Sequence, residues 1–486
     1  MSSKDSDANT PAAAAPRRGF RAVIVGGGPV GLGLAHMLDR AGIDYVLLER
    51  RPTVLEESGF GLAFYPHGVR LLDQLGMLDE ARRLYLPMRD KTTFAPDGRE
   101  RCYNRLYESM EECHGHPWML LKRQDVLRML YERLPDRNSK VLTGKKVVAI
   151  DSRDDGVAIR CSDGSVIEGS FIAACDGVHS PIRGMMGELD DPKDNTTKRK
   201  TKKKKSVMTA SYQLLVGHLD PIPDMPRNHL HEVHGKAGFS MQIFMFDTEG
   251  WFLAYRRLDP TPPADTYVRY TDADAEAFAR DIMDRPVGEG RTFADLWKAR
   301  RWVRLVATEE GAVRGPWHRG RVVLVGDSAC KMTPNAGLSA NQGWQGAAAL
   351  TNGLRGLLLS RRCSRGNKEE EGGSGEPDTA ALEAVFRGYR AATLDMAKGS
   401  ARTSALYIRT TSWHSPLYRV VDWLVPKLGG DERSFKIFTA PVVRQGLLLD
   451  WLPEPGYKAG TVEWVNKARV QQKTVEGPMG EEGGVR

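Results

Sequence analysis

Residues 20–51 read FRAVIVGGGPVGLGLAHMLDRAGIDYVLLERR, and this stretch decides the fold. An apolar run at 22–25 has the length of a buried strand. It turns through Gly26, Gly27 and Gly28 into a segment whose apolar positions, Val30, Leu32, Leu34, Ala35 and Leu38, have helical spacing. Gly42 ends that helix, a second apolar run follows at 45–48, and Glu49 closes it. The pattern predicts a β-α-β unit with a dinucleotide fingerprint. Gly26 allows the tight turn, Gly28 lets a pyrophosphate approach the backbone, and Gly31 lets the helix pack close to the strands. Pro29 sits in the first turn, where a missing N–H does no harm. The helix N-terminus offers N–H groups and a positive dipole end to phosphates. Glu49 is placed for a ribose 2′-hydroxyl, which favours a plain adenosine ribose over a 2′-phosphate.

Outward from this unit, 486 residues are enough for two or more domains, and no run has the length and purity of a membrane span. Residues 1–19 lack the apolar core of a secretory signal and are expected to be a disordered leader, which points to an intracellular protein. Six cysteines without a CxxC pair fit free thiols in a reducing compartment, with no metal site. The net charge of +8 owes much to KRKTKKKK at 198–205. That run lacks the interleaved aromatics of a nucleic-acid surface and reads as a solvated insertion, a nuclear-localisation signal or an anionic-surface patch being the alternatives.

Two later junctions share the design of the first. CDGVHS at 175–180 follows an apolar strand and a run of short strands with a hairpin signal at Asp163-Gly164. VGDSACKMTPNAG at 325–337 follows a strand at 322–325 and leads into a small-residue helix. Between them, residues 206–306 have aromatic-rich antiparallel texture and suit a substrate domain. The expected organisation is α/β, with a Rossmann-like nucleotide domain split over 20–75, 118–185 and 307–359. A β-sheet substrate domain takes 76–117 and 206–306, a basic loop 186–205, and a linker 360–378. A helical C-terminal region takes 379–486. Within it, Leu417, Val420, Val421, Leu424, Val425 and Leu428 form an apolar stripe, packed on the body or resting on a membrane surface.

The ordered set of three corners resembles the single-component FAD-dependent monooxygenases of the aromatic hydroxylase superfamily. KMTPN after the GD step is most similar to a fungal branch acting on terpenoid and indole-diterpene skeletons, as is WLPEPGYKAGT near the end of the chain. The resemblance implies that Gly26, Gly28 and Gly31 hold the pyrophosphate of FAD and Glu49 its adenosine ribose. It implies that Ala63 lies against the flavin, that Arg123 reaches the cofactor, and that Asp176 and Asp327 approach its phosphate and ribityl regions. Ala340 falls at a helix start facing the flavin pyrimidine edge. The chain departs from the family at Cys330, where His is frequent, and at Leu338-Ser339 and Gly343-Trp344-Gln345, where Gln345 replaces an acid.

The resemblance further implies transient reduction by NADPH, reaction of the reduced flavin with O2 to a C4a-hydroperoxide, and epoxidation or hydroxylation of a small hydrophobic secondary metabolite. The alternatives are a flavin-dependent dehydrogenase or reductase without oxygen transfer, and a non-catalytic flavin-binding partner. Tyr212 is the candidate proton donor, set against the reading of an ordinary half-buried strand tyrosine, with His218, Tyr255 and Arg256 behind it.

Overall fold

A computed structural model describes residues 19–55, 59–187, 208–262, 269–365, 376–454, 456 and 458–467. The leader, the basic run at 198–205 and most of the linker lie outside the described residues.

The apolar runs at 21–25 and 44–48 are buried strands at the centre of a six-stranded sheet. Its order is His318–Arg319, Val322–Leu324, Phe171–Ala174, Arg21–Val25, Asp44–Leu48 and Val141–Leu142, parallel except for the first strand. Both faces are covered, which is why these strands are continuously apolar instead of alternating. Helix Pro29–Arg40 lies on one face and meets the long helix Ser339–Arg365 through Gly33, where a side chain would collide with Trp344. Trp344 donates from Nε1 to the Pro29 carbonyl at 2.9 Å, fixing one helix across the other.

The second sheet has eight strands, in the order Cys330–Lys331, Arg300–Ala312, Met208–Leu219, Gly250–Arg257, Phe239–Met245, His229–His234, Asp90–Phe94 and Glu100–Asn104. One side packs on helices Asp272–Arg280 and Phe293–Lys298 through a separate apolar cluster around Phe252, Phe278 and Phe293. The other side is roofed by the C-terminal helices Thr379–Thr411, Pro416–Leu424 and Gly430–Ser434.

Pro66-His67-Gly68 is the first turn of helix Pro66–Gln74, with Pro at its start. The stretch 86–117 contains helix Leu106–His114 beside its two strands, ended by Gly115 in the left-handed region at φ 74°.

Candidate active site

The three glycine and aspartate corners adjoin. Gly26 N–H donates to the Leu48 carbonyl at 2.8 Å, Cys175 N–H to Val25 at 2.8 Å, and Val325 N–H to Ala174 at 2.9 Å. The C-terminal ends of four parallel strands are thereby flush, the position at which such sheets bind ligands. Gly26 has φ 111°, and a side chain there would strike the Cys175 carbonyl. Gly31 has no room either, because a Cβ would press on the Gly26 carbonyl. Gly28 is different: a Cβ there meets nothing within 4 Å, so the backbone is bare toward open space. It caps its helix without a side-chain hydrogen bond, leaving first-turn N–H groups for a ligand.

The polar groups around this corner are held in place. Glu49 is buried, with Oε2 accepting from Gly27 N–H at 2.7 Å and Oε1 from Arg51 N–H at 3.0 Å. Each oxygen keeps capacity for a further donor such as a sugar hydroxyl. Asp176 Oδ2 accepts from Ile182 N–H at 3.1 Å, while its buried Oδ1 has no protein partner. Burial pushes this carboxyl up. An orphaned acceptor beside a bare glycine corner fits a ligand rich in hydroxyl donors, as FAD is.

Asp327 accepts from Lys331 Nζ at 2.6 Å and from Ser339 Oγ at 2.5 Å. Burial opposes the Lys331 ammonium, but Asp327 outweighs it and raises the pKa. Arg123 begins helix Arg123–Glu132, half-buried, with Cδ 2.9 Å from where a Gly59 Cβ would stand. Ala63 lies in strand Gly61–Phe64, which Asn341 fastens to the long helix: Asn341 Nδ2 donates to Ala63 O at 2.7 Å and Oδ1 accepts from Tyr65 N–H at 2.9 Å. A Cβ on Gly337 would be 3.0 Å from Ala63, so the 334–337 loop and this strand touch. Ala340 is half-buried in the first turn of helix Ser339–Arg365.

The departures have structural reasons. Cys330 is buried, its thiol pushed up to about 12 by burial and then by Asp327, so it is an inert side chain. Ser339 supplies the hydroxyl that holds Asp327. Gln345 is fully buried, donating to His67 O at 3.1 Å and accepting from Leu447 N–H. An ionised acid could not make the first of those bonds.

Beside the 334–337 loop lies a cavity of about 270 Å³. Its walls include Phe60, Ala63, Leu120, Phe244, Val425 and Phe438, mostly apolar. One wall carries a buried ionic network that the motifs gave no hint of. Lys91 Nζ contacts Glu232, Asp431 Oδ2 at 2.8 Å and Tyr407 Oη at 3.3 Å. Glu232 also accepts from Tyr407 Oη at 2.6 Å, Gln242 Nε2 at 3.0 Å and His234 Nε2 at 3.0 Å. His234 Nδ1 reaches Asp422 Oδ1 at 2.6 Å, and Asp422 also holds Arg101 and Trp413 Nε1 at 2.8 Å. Both nitrogens of His234 face carboxylates, so both donate and the ring is an imidazolium. Burial alone would lower its pKa, but Asp422 and Glu232 raise it to about 9. Burial also opposes ionisation of Glu232, which Lys91 and His234 nevertheless hold well below the usual range. The one available signal was HLHEVH at 229–234, too polar for an interior strand unless its side chains are paired.

Tyr212 is not among the residues lining this cavity. It is buried, with its hydroxyl on Ser412 Oγ at 3.1 Å and His414 Nδ1 at 2.9 Å. His218 binds Glu249 at 2.7 Å, Arg256 binds Gln213 and Asp281, and Tyr255 is buried in the sheet.

Comparison with known proteins agrees with this arrangement. A family described as "FAD binding domain" matches residues 20–206. The FAD-dependent monooxygenase esdpE of Penicillium shearii is 31% identical over 441 residues, covering 90% of this chain and 88% of its own. The FAD-dependent monooxygenase srdH of Neurospora crassa is 31% identical over 93% of this chain and 100% of its own. Among solved structures, Klebsiella pneumoniae HpxO complexed with FAD and uric acid has a TM-score of 0.65 at 18% identity, covering 88% of this chain and 97% of that one. Aklavinone-11 hydroxylase with FAD and aklavinone has a TM-score of 0.59 at 17% identity, covering 81% and 69%. With its three corners gathered at one sheet edge and relatives matched along nearly its whole length, the chain belongs to the FAD-dependent monooxygenases.

Proposed function

We propose that this enzyme uses NADPH and O2 to epoxidise or hydroxylate a hydrophobic secondary metabolite, of terpenoid, meroterpenoid or polyketide type, bound in the cavity. The carrying observation is that a mostly apolar cavity opens onto Ala63 and the 334–337 loop, beside the cofactor corner. In this reading Gly26, Gly28 and Gly31 seat the pyrophosphate, Glu49 the adenosine ribose, and Arg123, Asp176 and Asp327 the remaining polar part of FAD. When bound and reduced, FAD activates O2 and supplies the oxygen atom that is transferred.

The chain's own residues orient the substrate and keep water out. Phe60, Leu120, Phe244 and Phe438 surround the hydrocarbon body. Thr410, whose buried hydroxyl has no protein partner, offers a hydrogen bond to an oxygen function at one end of it. The helix beginning at Ser339 turns its positive end toward the flavin, where it favours the negative charge of the reduced ring. The Tyr407 hydroxyl and the His234 imidazolium are the proton-holding groups on the cavity wall. Tyr212 is not the proton donor in this proposal, because its hydroxyl is held by Ser412 and His414 away from the cavity lining.

The test is turnover with labelled dioxygen in the presence of NADPH and a candidate substrate. One labelled oxygen atom in the product supports the proposal. Substrate oxidation without label would establish the dehydrogenase alternative instead.

A further inference from the structure

The roof of the cavity has an outer face that the chemistry above does not use. Helix Pro416–Leu424 and the residues to Phe438 turn Val421, Val425 and Phe435 inward to the cavity. Outward they leave Leu417 68% exposed, Val420 53%, Trp423 56%, Leu428 59%, Ile437 54% and Phe438 54%. Large exposed apolar groups are ordinary when scattered and informative when gathered on one face.

The charges on this face are sorted by sign. Arg419, Lys427, Arg433 and Lys436 are all exposed. Two of the three acids of the same stretch are turned inward, Asp422 to His234 and Arg101 and Asp431 to Lys91 and Asn104, and the third, half-buried Glu432, is held by the Arg105 N–H. No acid between 416 and 438 is exposed. Lys427 lies 3.2 Å over the Trp423 ring, so the cation and the indole present together.

We propose that this face rests on an anionic lipid surface, and that the cavity takes its apolar substrate through the mouth the contact covers. An apolar stripe edged by cations and carrying a tryptophan is the composition of an interfacial helix. A second copy of the chain is disfavoured, because pairing the face with itself brings cation against cation. The mouth lies on this side, since Leu406 and Phe438 both line the cavity and remain exposed. The lipid contact stands on the surface alone. Only its use for substrate entry rests on the function proposed above.

The experiment is vesicle flotation of the full FAD-loaded chain, with phosphatidylcholine alone and with a phosphatidylcholine–phosphatidylserine mixture. The protein floats with the mixed vesicles and releases at high salt. The double substitution Lys427→Glu and Lys436→Glu lowers partitioning by more than about tenfold. Leu417→Ser with Trp423→Ser lowers it by about tenfold or more. Val166→Ser, exposed on strand Val166–Gly169 of a separate sheet that also holds Val147–Arg153 and Gly156–Cys161, leaves it unchanged. Retained flavin absorbance and melting temperature show that the variants are folded. No flotation of the wild type, equal flotation with both lipid compositions, or variants that float like the wild type overturns the proposal. So does a wild-type dimer that the Leu417→Ser and Trp423→Ser change dissociates without altering flotation. With substrate dissolved in the vesicles, the cation variant raises KM and leaves kcat unchanged. Absence of turnover in every protein would count against the enzymatic reading while leaving the flotation result to decide the lipid contact.

Discussion

Gly28 and Gly31 stand three residues apart and answer to different constraints. A methyl group at Gly28 meets only open space and the backbone is extended there, at φ −78° and ψ 179°. Gly28→Ala is expected to leave the melting of the flavin-free protein within about 0.5 kcal/mol of wild type, while flavin content falls. Gly31→Ala drives a methyl into the Gly26 carbonyl and is expected to cost about 1–3 kcal/mol before any cofactor is added. Calorimetry of the apo proteins with flavin absorbance of the loaded ones separates the two roles. His234 gives a pH prediction. Its pKa is raised above the unfolded value, so its contribution is complete below about pH 6.5 and fades as pH rises to about 9. The size is on the order of 3 kcal/mol. A melting series from pH 6 to 10 should show this decline, and His234→Gln should flatten it. At this scale the sequence was half legible. Glycines and acids at fixed offsets within one β-α-β unit announce themselves, because local geometry dictates them. Lys91, Glu232, Tyr407 and Asp422 meet from separate elements, and no local pattern marks a partner some 300 residues away, as Lys91 and Tyr407 are.

The elements were legible where periodicity alone determines them, as in strand Arg21–Val25 and helix Pro29–Arg40. They were less so where a tertiary partner decides. Helix Pro66–Gln74 starts at its proline with the Tyr65 N–H held by Asn341 Oδ1, a neighbour on another helix that Gly68 leaves room for. Helix Pro416–Leu424 showed its apolar stripe, but not that Asp422 would anchor it across the cavity to Arg101 and His234. Removing that anchor gives an element-level prediction. Arg101→Ala leaves Asp422 with two of its three side-chain partners, His234 and Trp413, and should loosen the roof without unfolding the nucleotide sheet. Hydrogen exchange is expected to speed up across residues 413–425 while strand Phe171–Ala174 stays protected. Equal acceleration in both would mean the roof is no separate unit.

The whole molecule is stitched by contacts between distant parts of the chain. Three strand ends from residues 25, 174 and 324 meet at one corner, so FAD bound there as proposed should stabilise the sheet as a unit. FAD at about a hundredfold excess over its Kd is expected to add roughly 2.7 kcal/mol, a rise of several degrees in melting temperature. A melt unmoved by FAD would count against the corner as the binding place. The chain's C-terminal portion takes part as well: Gln74 exchanges hydrogen bonds with Leu449, at 3.0 and 2.9 Å, and Asn352 donates to Leu448 at 2.8 Å.

That last arrangement bears on how the enzyme is made. The β-α-β unit at 20–51 leaves the ribosome before the rest of its sheet, whose strands at 141–142, 171–174 and 322–324 have still to follow. The helix at 66–74 waits longer, until Leu449 has emerged. A nascent chain halted before residue 320 should therefore capture no flavin, however much of the glycine corner it already carries.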